Sequence, residues 1–205
     1  EADLVILAGV PCDFRLDYGR HINHKANIIS INLSREDLYM NRKPTRGILT
    51  DPGMFLISLS QAYKRNNWKN WQRILLDREQ QRNDEISHQA EEKTEFINPL
   101  KICIALNQHI QEGDKIVADG GDFVATASYI LQPRSLSGWL DPGIFGTLGV
   151  GAGFAMGAQL THPDSVVWAI YGDGAFGYSL MEFDTFVRHK IPVIAVIGND
   201  ACWSQ

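Results

Sequence analysis

The sequence predicts an α/β fold made of two doubly wound parallel-sheet domains, each present in part, and three observations lead there. Short apolar runs of strand length end repeatedly at Gly, Asp or Asn: Leu4 to Leu7 at Gly9, Ile28 to Ile31 at Asn32, Lys115 to Ala118 at Asp119-Gly120-Gly121, and Val166 to Ile170 at Gly172-Asp173-Gly174. A fifth run, Ile191 to Ile197, ends at Gly198-Asn199-Asp200. Segments of helical spacing lie between these runs, the order expected of parallel strands joined by crossover helices. A polar stretch divides the chain, giving residues 1–62, a helical connector over 63–97, and residues 98–205.

In the first part, Ser34 is placed to cap a short helix over Arg35 to Met40, and Met54 to Tyr63 reads as an amphipathic helix. The connector is rich in Arg, Gln, Glu and Asn, with Trp68, Trp71, Ile74 and Leu75 as its sparse apolar anchors. Asn98-Pro99 then opens a helix over Leu100 to Ile110. After the strand at Lys115 to Ala118 the reading gives a Gly/Pro-rich loop, followed by a small-residue helix over Gly146 to Leu160. Tyr178 to His189 places Leu180, Phe183 and Val187 on one helical stripe. Strand, helix and strand over 166–200 make a right-handed βαβ unit, which brings the two strand ends together at one sheet edge.

Size and composition exclude several classes. The chain has 205 residues, 44% hydrophobic and 21% charged, enough apolar mass for a core. A formal charge of −5 and no basic stripe argue against a nucleic-acid or anionic-membrane binder. Cys12, Cys103 and Cys202 are widely spaced and suggest neither a disulfide framework nor a zinc site. His21 and His24 have no partner ligands nearby in sequence and read as surface residues. The chain opens at Glu1 almost directly into a strand and stops at Gln205 just after another, which reads as a piece of a longer protein.

The candidate chemistry lies at the strand ends. Asp173 stands 26 and 27 positions before Asn199 and Asp200, and the βαβ unit makes these oxygen-bearing side chains neighbours. Carboxylate and amide oxygens beside glycine backbone form a hard-oxygen site suited to Mg²⁺ and a diphosphate. Gly120-Gly121 can turn successive N–H groups toward an anion. Gly174 and Ala175 would offer N–H groups at a helix start. The glycine-rich run from Gly146 to Gly153 fails the dinucleotide spacing, because Phe154 and Met156 occupy the required third-glycine positions.

Gly172-Asp173-Gly174 with Asn199-Asp200 resembles the signature of thiamine-diphosphate enzymes. Gly146-Thr-Leu-Gly149 and its continuation through Ala158 resemble a second segment of that family. The runs from Asp141 to Gly149, Gly172 to Leu180 and Glu182 to Pro192 resemble the animal acetolactate-synthase-like, 2-hydroxyacyl-CoA lyase branch. The resemblance implies Mg²⁺ held by Asp173, Asp200 and the Cys202 carbonyl, with Asn199 the alternative ligand if the register differs by one. Asp200 stands where most relatives have Asn, a departure that leaves an oxygen donor in place. Cofactor contacts are implied at Gly120, Gly121, Gly146, Leu148, Gly172, Asp173, Gly174 and Ala175. In the family the Gly146 carbonyl faces the aminopyrimidine and the residue at Leu148 wedges the cofactor into a bent shape. An acidic Asp122 beside a diphosphate would turn away or bond a donor.

The branch implies thiamine diphosphate and Mg²⁺ as cofactors and carbon–carbon cleavage of a long-chain 2-hydroxyacyl-CoA. Alternatives are an acetolactate-synthase-type carboligase on pyruvate, or a non-catalytic subunit of the same fold. The partners expected are a small-molecule substrate, acyl-CoA or 2-keto acid, and further copies in a homodimer or homotetramer, with no nucleic acid. The activating Glu is expected in an N-terminal domain outside the chain, so no catalytic acid or base is named and these residues alone are expected to be inactive. Residence in the endoplasmic reticulum membrane is likewise an implication of the branch.

Overall fold

A computed structural model describes residues 2–64 and 67–203. Glu1, Arg65, Asn66, Ser204 and Gln205 lie outside them, so both chain ends and positions 65–66 of the polar connector are not described. The chain divides into two compact units, Glu1–Lys69 and Asn70–Gln205.

The first unit is built on a three-stranded parallel sheet of β1 (Leu4–Ala8), β2 (Asn27–Asn32) and β3 (Arg46–Leu49), in that order. Sequence patterning finds β1 and β2 and passes over β3, a four-residue edge strand with a glycine inside it. Ser34 caps α1, its hydroxyl accepting from the Asp37 N–H at 3.2 Å, but the helix spans only Arg35–Leu38. Asp51 caps α2 (Pro52–Ala62) by accepting from the Met54 N–H at 2.8 Å, and Pro52 fills the first turn, where no N–H is needed. His21 and His24 are exposed, as surface residues should be.

The second unit carries a four-stranded parallel sheet in the order β5-β4-β6-β7: β5 is Trp139–Leu140, β4 Lys115–Asp119, β6 Val167–Gly172 and β7 Ile194–Gly198. Both faces are covered, and the strand alternation shows it. Val117, Ala169 and Tyr171 join one apolar cluster, while Ile116 and Ile170 join the other. The second cluster takes in residues of α3 (Lys69–Ala90), α4 (Pro99–Asn107) and α5 (Asp122–Ile130); the first takes in residues of α6 (Gly151–Thr161), α7 (Asp173–Ser179) and α8 (Glu182–His189). This is a doubly wound α/β arrangement.

Several local expectations are corrected. The loop expected after β4 contains α5, whose Phe123, Ala127 and Ile130 form an apolar stripe behind the Gly120-Gly121 turn. The small-residue helix begins at Gly151 rather than Gly146, because Gly146 and Gly149 take positive φ values incompatible with a continuous helix. In α3 the buried residues are Ile86 and Ala90, near its C-terminal end; of the expected anchors Trp71 is half-buried, while Trp68, just before the helix, and Ile74 and Leu75 are exposed. The helix expected over 178–189 breaks at Leu180-Met181 into α7 and α8.

In α8 Phe186 is buried and Phe183 half-buried, while Val187, and Leu180 ahead of the helix, are exposed. Edge-to-face contacts run from Tyr171 through Phe176 and Phe183 to Phe186, with centroids 5.0–5.4 Å apart. Phe186→Ala should therefore cost about 3–5 kcal/mol, checked as a fall in denaturation midpoint without loss of secondary structure.

Candidate functional site

The site grows from the register of the parallel sheet. Gly172 pairs with Gly198 at the ends of β6 and β7, and the Gly172 N–H donates to the Gly120 carbonyl at 3.1 Å. The three segments that leave these strands therefore start side by side at the carboxyl edge, where open α/β sheets bind ligands. Gly120 and Gly121 turn the chain with φ of +63° and +91°. Two helices, α5 and α7, begin here, and neither has a side-chain cap on its first turn. Their positive dipole ends meet the same space, and at α7 the Gly174 N–H is taken by the Asp173 carboxylate.

That space is a cavity of about 860 Å³. Its lining includes Gly120, Gly121, Leu148, Gly172, Asp173, Gly174, Ala175, Asn199, Asp200 and Cys202. All the residues predicted for cofactor or metal are thus brought together except Gly146, which ends the turn at Gly143–Phe145 with φ +56° and does not line the cavity. Asp122 stands at the start of α5, exposed, on the cavity wall.

The loop after β7 folds back onto Asp173. The Asp173 carboxylate accepts from the Gly174 N–H at 2.8 Å and from the Ala201 N–H at 3.0 Å. Asn199 Oδ1 also accepts from the Ala201 N–H at 3.0 Å, and Asp200 Oδ1 accepts from the Cys202 N–H at 3.0 Å. No group of three His, Cys, Asp or Glu side chains able to hold a metal occurs among the described residues. The candidate set is instead two carboxylates, one amide oxygen and a backbone carbonyl, a donor chemistry that fits a hard, oxygen-seeking cation. Uncapped helix starts and paired glycines fit a diphosphate.

Leu148 shapes the cavity wall. A Cβ on Gly120 would lie 2.0 Å from Leu148 Cδ2 and 3.3 Å from Ala175 Cβ, so glycine is what lets the leucine settle there. Gly198 makes the same allowance for Phe123, whose Cγ would be 2.2 Å from an added Cβ. The ring of Trp203 packs 3.3 Å from where a Gly174 Cβ would stand, and meets Tyr178 edge-on at 6.2 Å.

One residue of this region escapes sequence reasoning. Asp119, the last residue of β4, is completely buried, and its carboxylate accepts from the Gly149 N–H at 3.1 Å and the Gly151 N–H at 2.7 Å. The available signal is a lone carboxylate closing an otherwise apolar buried strand. Burial pushes its pKa up, with the two N–H donors pulling the other way, and burial pushes the neighbouring Tyr171 phenol up to about 12.

The cysteines differ in the same way. Burial pushes Cys103 up to about 11 and also raises Cys12, while Cys202 is exposed in the cavity lining. Iodoacetamide should modify Cys202 well before the other two, since thiolate access governs the rate. Thiamine diphosphate with Mg²⁺ should slow that modification, as read by peptide mass spectrometry.

Comparison with known proteins agrees with this geometry. Residues 119–205 match the family described as thiamine pyrophosphate enzyme, C-terminal TPP binding domain. The whole chain aligns with 2-hydroxyacyl-CoA lyase 2 of Danio rerio at 50% identity, covering 34% of that protein, and with the Homo sapiens protein of the same name at 46%, covering 33%. Against the acetolactate synthase large subunit IlvG of Mycobacterium tuberculosis, 99% of the chain aligns at 32% identity, covering 37% of that protein. The chain spans about a third of the length of the curated relatives it matches. Residues 119–205, which include most of the cavity lining at the carboxyl edge of the sheet, are thus similar to the C-terminal TPP binding domain of thiamine pyrophosphate enzymes.

Proposed function

We propose that the full-length protein is a thiamine-diphosphate- and Mg²⁺-dependent lyase that cleaves a long-chain 2-hydroxyacyl-CoA between its carbonyl carbon and C2. The products are an aldehyde one carbon shorter and formyl-CoA, which together contain all the atoms of the substrate. The observation that carries this reading is identity along the entire chain, 44–50% to proteins named 2-hydroxyacyl-CoA lyase 2, against 32% to acetolactate synthase. When bound, thiamine diphosphate supplies the electron sink that lets a bond beside a carbonyl break.

This chain's part is to bind and orient. N–H groups of Gly120, Gly121 and Ala175 would hold the diphosphate, joined by the Gly174 N–H once it leaves the Asp173 carboxylate it now donates to, and Asp173, Asp200 and the Cys202 carbonyl would hold Mg²⁺, with Asn199 the alternative donor. Gly172, whose missing side chain leaves room for the Gly120 carbonyl, would let the turn approach the diphosphate. Leu148 would support the ring system from the cavity wall; Gly146, which does not line the cavity, is given no contact. Residues 1–62 would close a central domain, 63–97 would connect, and 98–205 would begin the cofactor domain of a homo-oligomer. Residence in the endoplasmic reticulum membrane belongs to the same proposal; no helix among the described residues is long and apolar enough to cross a membrane.

The test supplies the full-length protein with thiamine diphosphate and Mg²⁺ and follows products by mass spectrometry. Heptadecanal plus formyl-CoA from 2-hydroxystearoyl-CoA is the expected result. Acetolactate from pyruvate instead would assign it to the carboligases, the activity carried in the name of the 32% identical relative. Turnover of neither substrate with cofactor bound would point to a non-catalytic subunit or to another substrate.

A further inference from the structure

Asp119 does not line the cavity, yet it reaches a segment that does. From the end of β4 its carboxylate spans 30 and 32 positions of sequence to the N–H groups of Gly149 and Gly151. The turn it grips has no slack on either side. A Cβ on Gly149 would stand 2.8 Å from Tyr178 Cβ, and one on Gly151 would stand 2.5 Å from the Tyr171 ring and 2.8 Å from Asp119 Cβ. Leu148 immediately precedes this turn, and its side chain rests on Gly120, the residue that immediately follows Asp119. One strand end thus supplies both the acceptor that fixes the turn and the bare backbone that receives the leucine.

We propose that Asp119 is a positioning residue, which fixes Leu148 on Gly120 by accepting the Gly149 and Gly151 N–H groups and so sets the shape of the cavity wall against the cofactor. The inference rests on the thiamine-diphosphate reading of the cavity. Electrostatics support it. With its pKa raised, the carboxylate favours the folded state in acid, and that contribution is lost as the pH rises through the raised value. Ionising this carboxyl therefore costs stability, while its position gives it the backbone of the turn as its partner.

The experiment measures thiamine diphosphate binding by titration with Mg²⁺ in the full-length protein, with near-ultraviolet circular dichroism of the bound cofactor as a second readout. Asp119→Ala should weaken binding roughly tenfold or more and alter the cofactor's dichroism. Asp119→Asn retains an accepting oxygen and should fall between alanine and wild type. Combined with Leu148→Ala, Asp119→Ala should add little, because the two act through one contact. If Asp119→Ala does not fold, Asp119→Asn alone and with Leu148→Ala decides the question in the same way. Additive losses, or wild-type affinity and dichroism with only a lowered melting temperature, would overturn the proposal and leave the cofactor reading intact. Absence of thiamine diphosphate binding by the wild-type protein would overturn the cofactor reading and the proposal with it.

Discussion

Asp173→Ala should remove Mg²⁺-dependent thiamine diphosphate binding from the full-length protein, weakening it by roughly a hundredfold or more. The magnitude follows from withdrawing one charged partner from a partly enclosed ionic site, where such losses run to about 3–5 kcal/mol. Asp173 is the most consequential position because two roles meet in it. It stands at the end of β6, among the cavity-lining oxygens proposed for the cation, and its carboxylate also holds the loop after β7 through the Ala201 N–H at 3.0 Å. Losing it removes a ligand and releases the segment that carries Asn199, Asp200 and Cys202. Asp173→Asn keeps the size and an accepting oxygen, so its melting temperature should stay near wild type while cofactor affinity still falls. Titration at several Mg²⁺ concentrations separates the two effects: a lost ligand makes affinity depend less steeply on the metal.

Gly120→Ala should damage both stability and site. An alanine there must hold a φ of +63°, and its Cβ would lie 2.0 Å from Leu148 Cδ2. Left-handed backbone costs an L-residue about 1–2 kcal/mol, and forcing an extra methyl into a filled space costs about 1–3 kcal/mol more. The sum, roughly 2–5 kcal/mol by those two principles, would appear as a lowered denaturation midpoint. The methyl also pushes Leu148 into the space proposed for the cofactor, so binding should weaken beyond what the stability loss explains. Pairing Gly120→Ala with Leu148→Ala relieves the clash and should recover part of the stability, whereas the backbone cost remains.

How far these features can be read without coordinates depends on the kind of signal each one leaves. β6 and β7 are apolar runs that stop at glycine, and their parallel register follows from the crossover between them, so the meeting of Asp173 with Asn199 and Asp200 is legible from spacing alone. Short edge elements leave little trace: β3 has four residues, and β5 only two. α5 is hidden by its own entrance, because Gly120-Gly121 reads as the start of a loop when it is a sharp turn into a helix. The break at Leu180-Met181 contradicts a continuous stripe, since the tertiary contacts of Phe176, Phe183 and Phe186 decide which face is buried. Asp119 leaves no trace of its role in sequence because its partners are backbone N–H groups some thirty residues away, and a backbone donor has no signature there.

The most direct test of the central claim is an experimental structure of the full-length protein with thiamine diphosphate and Mg²⁺. The account predicts diphosphate density against the starts of α5 and α7, and a metal ion coordinated by Asp173 together with Asp200 or Asn199. Cofactor density elsewhere, or a metal held without Asp173, would contradict it.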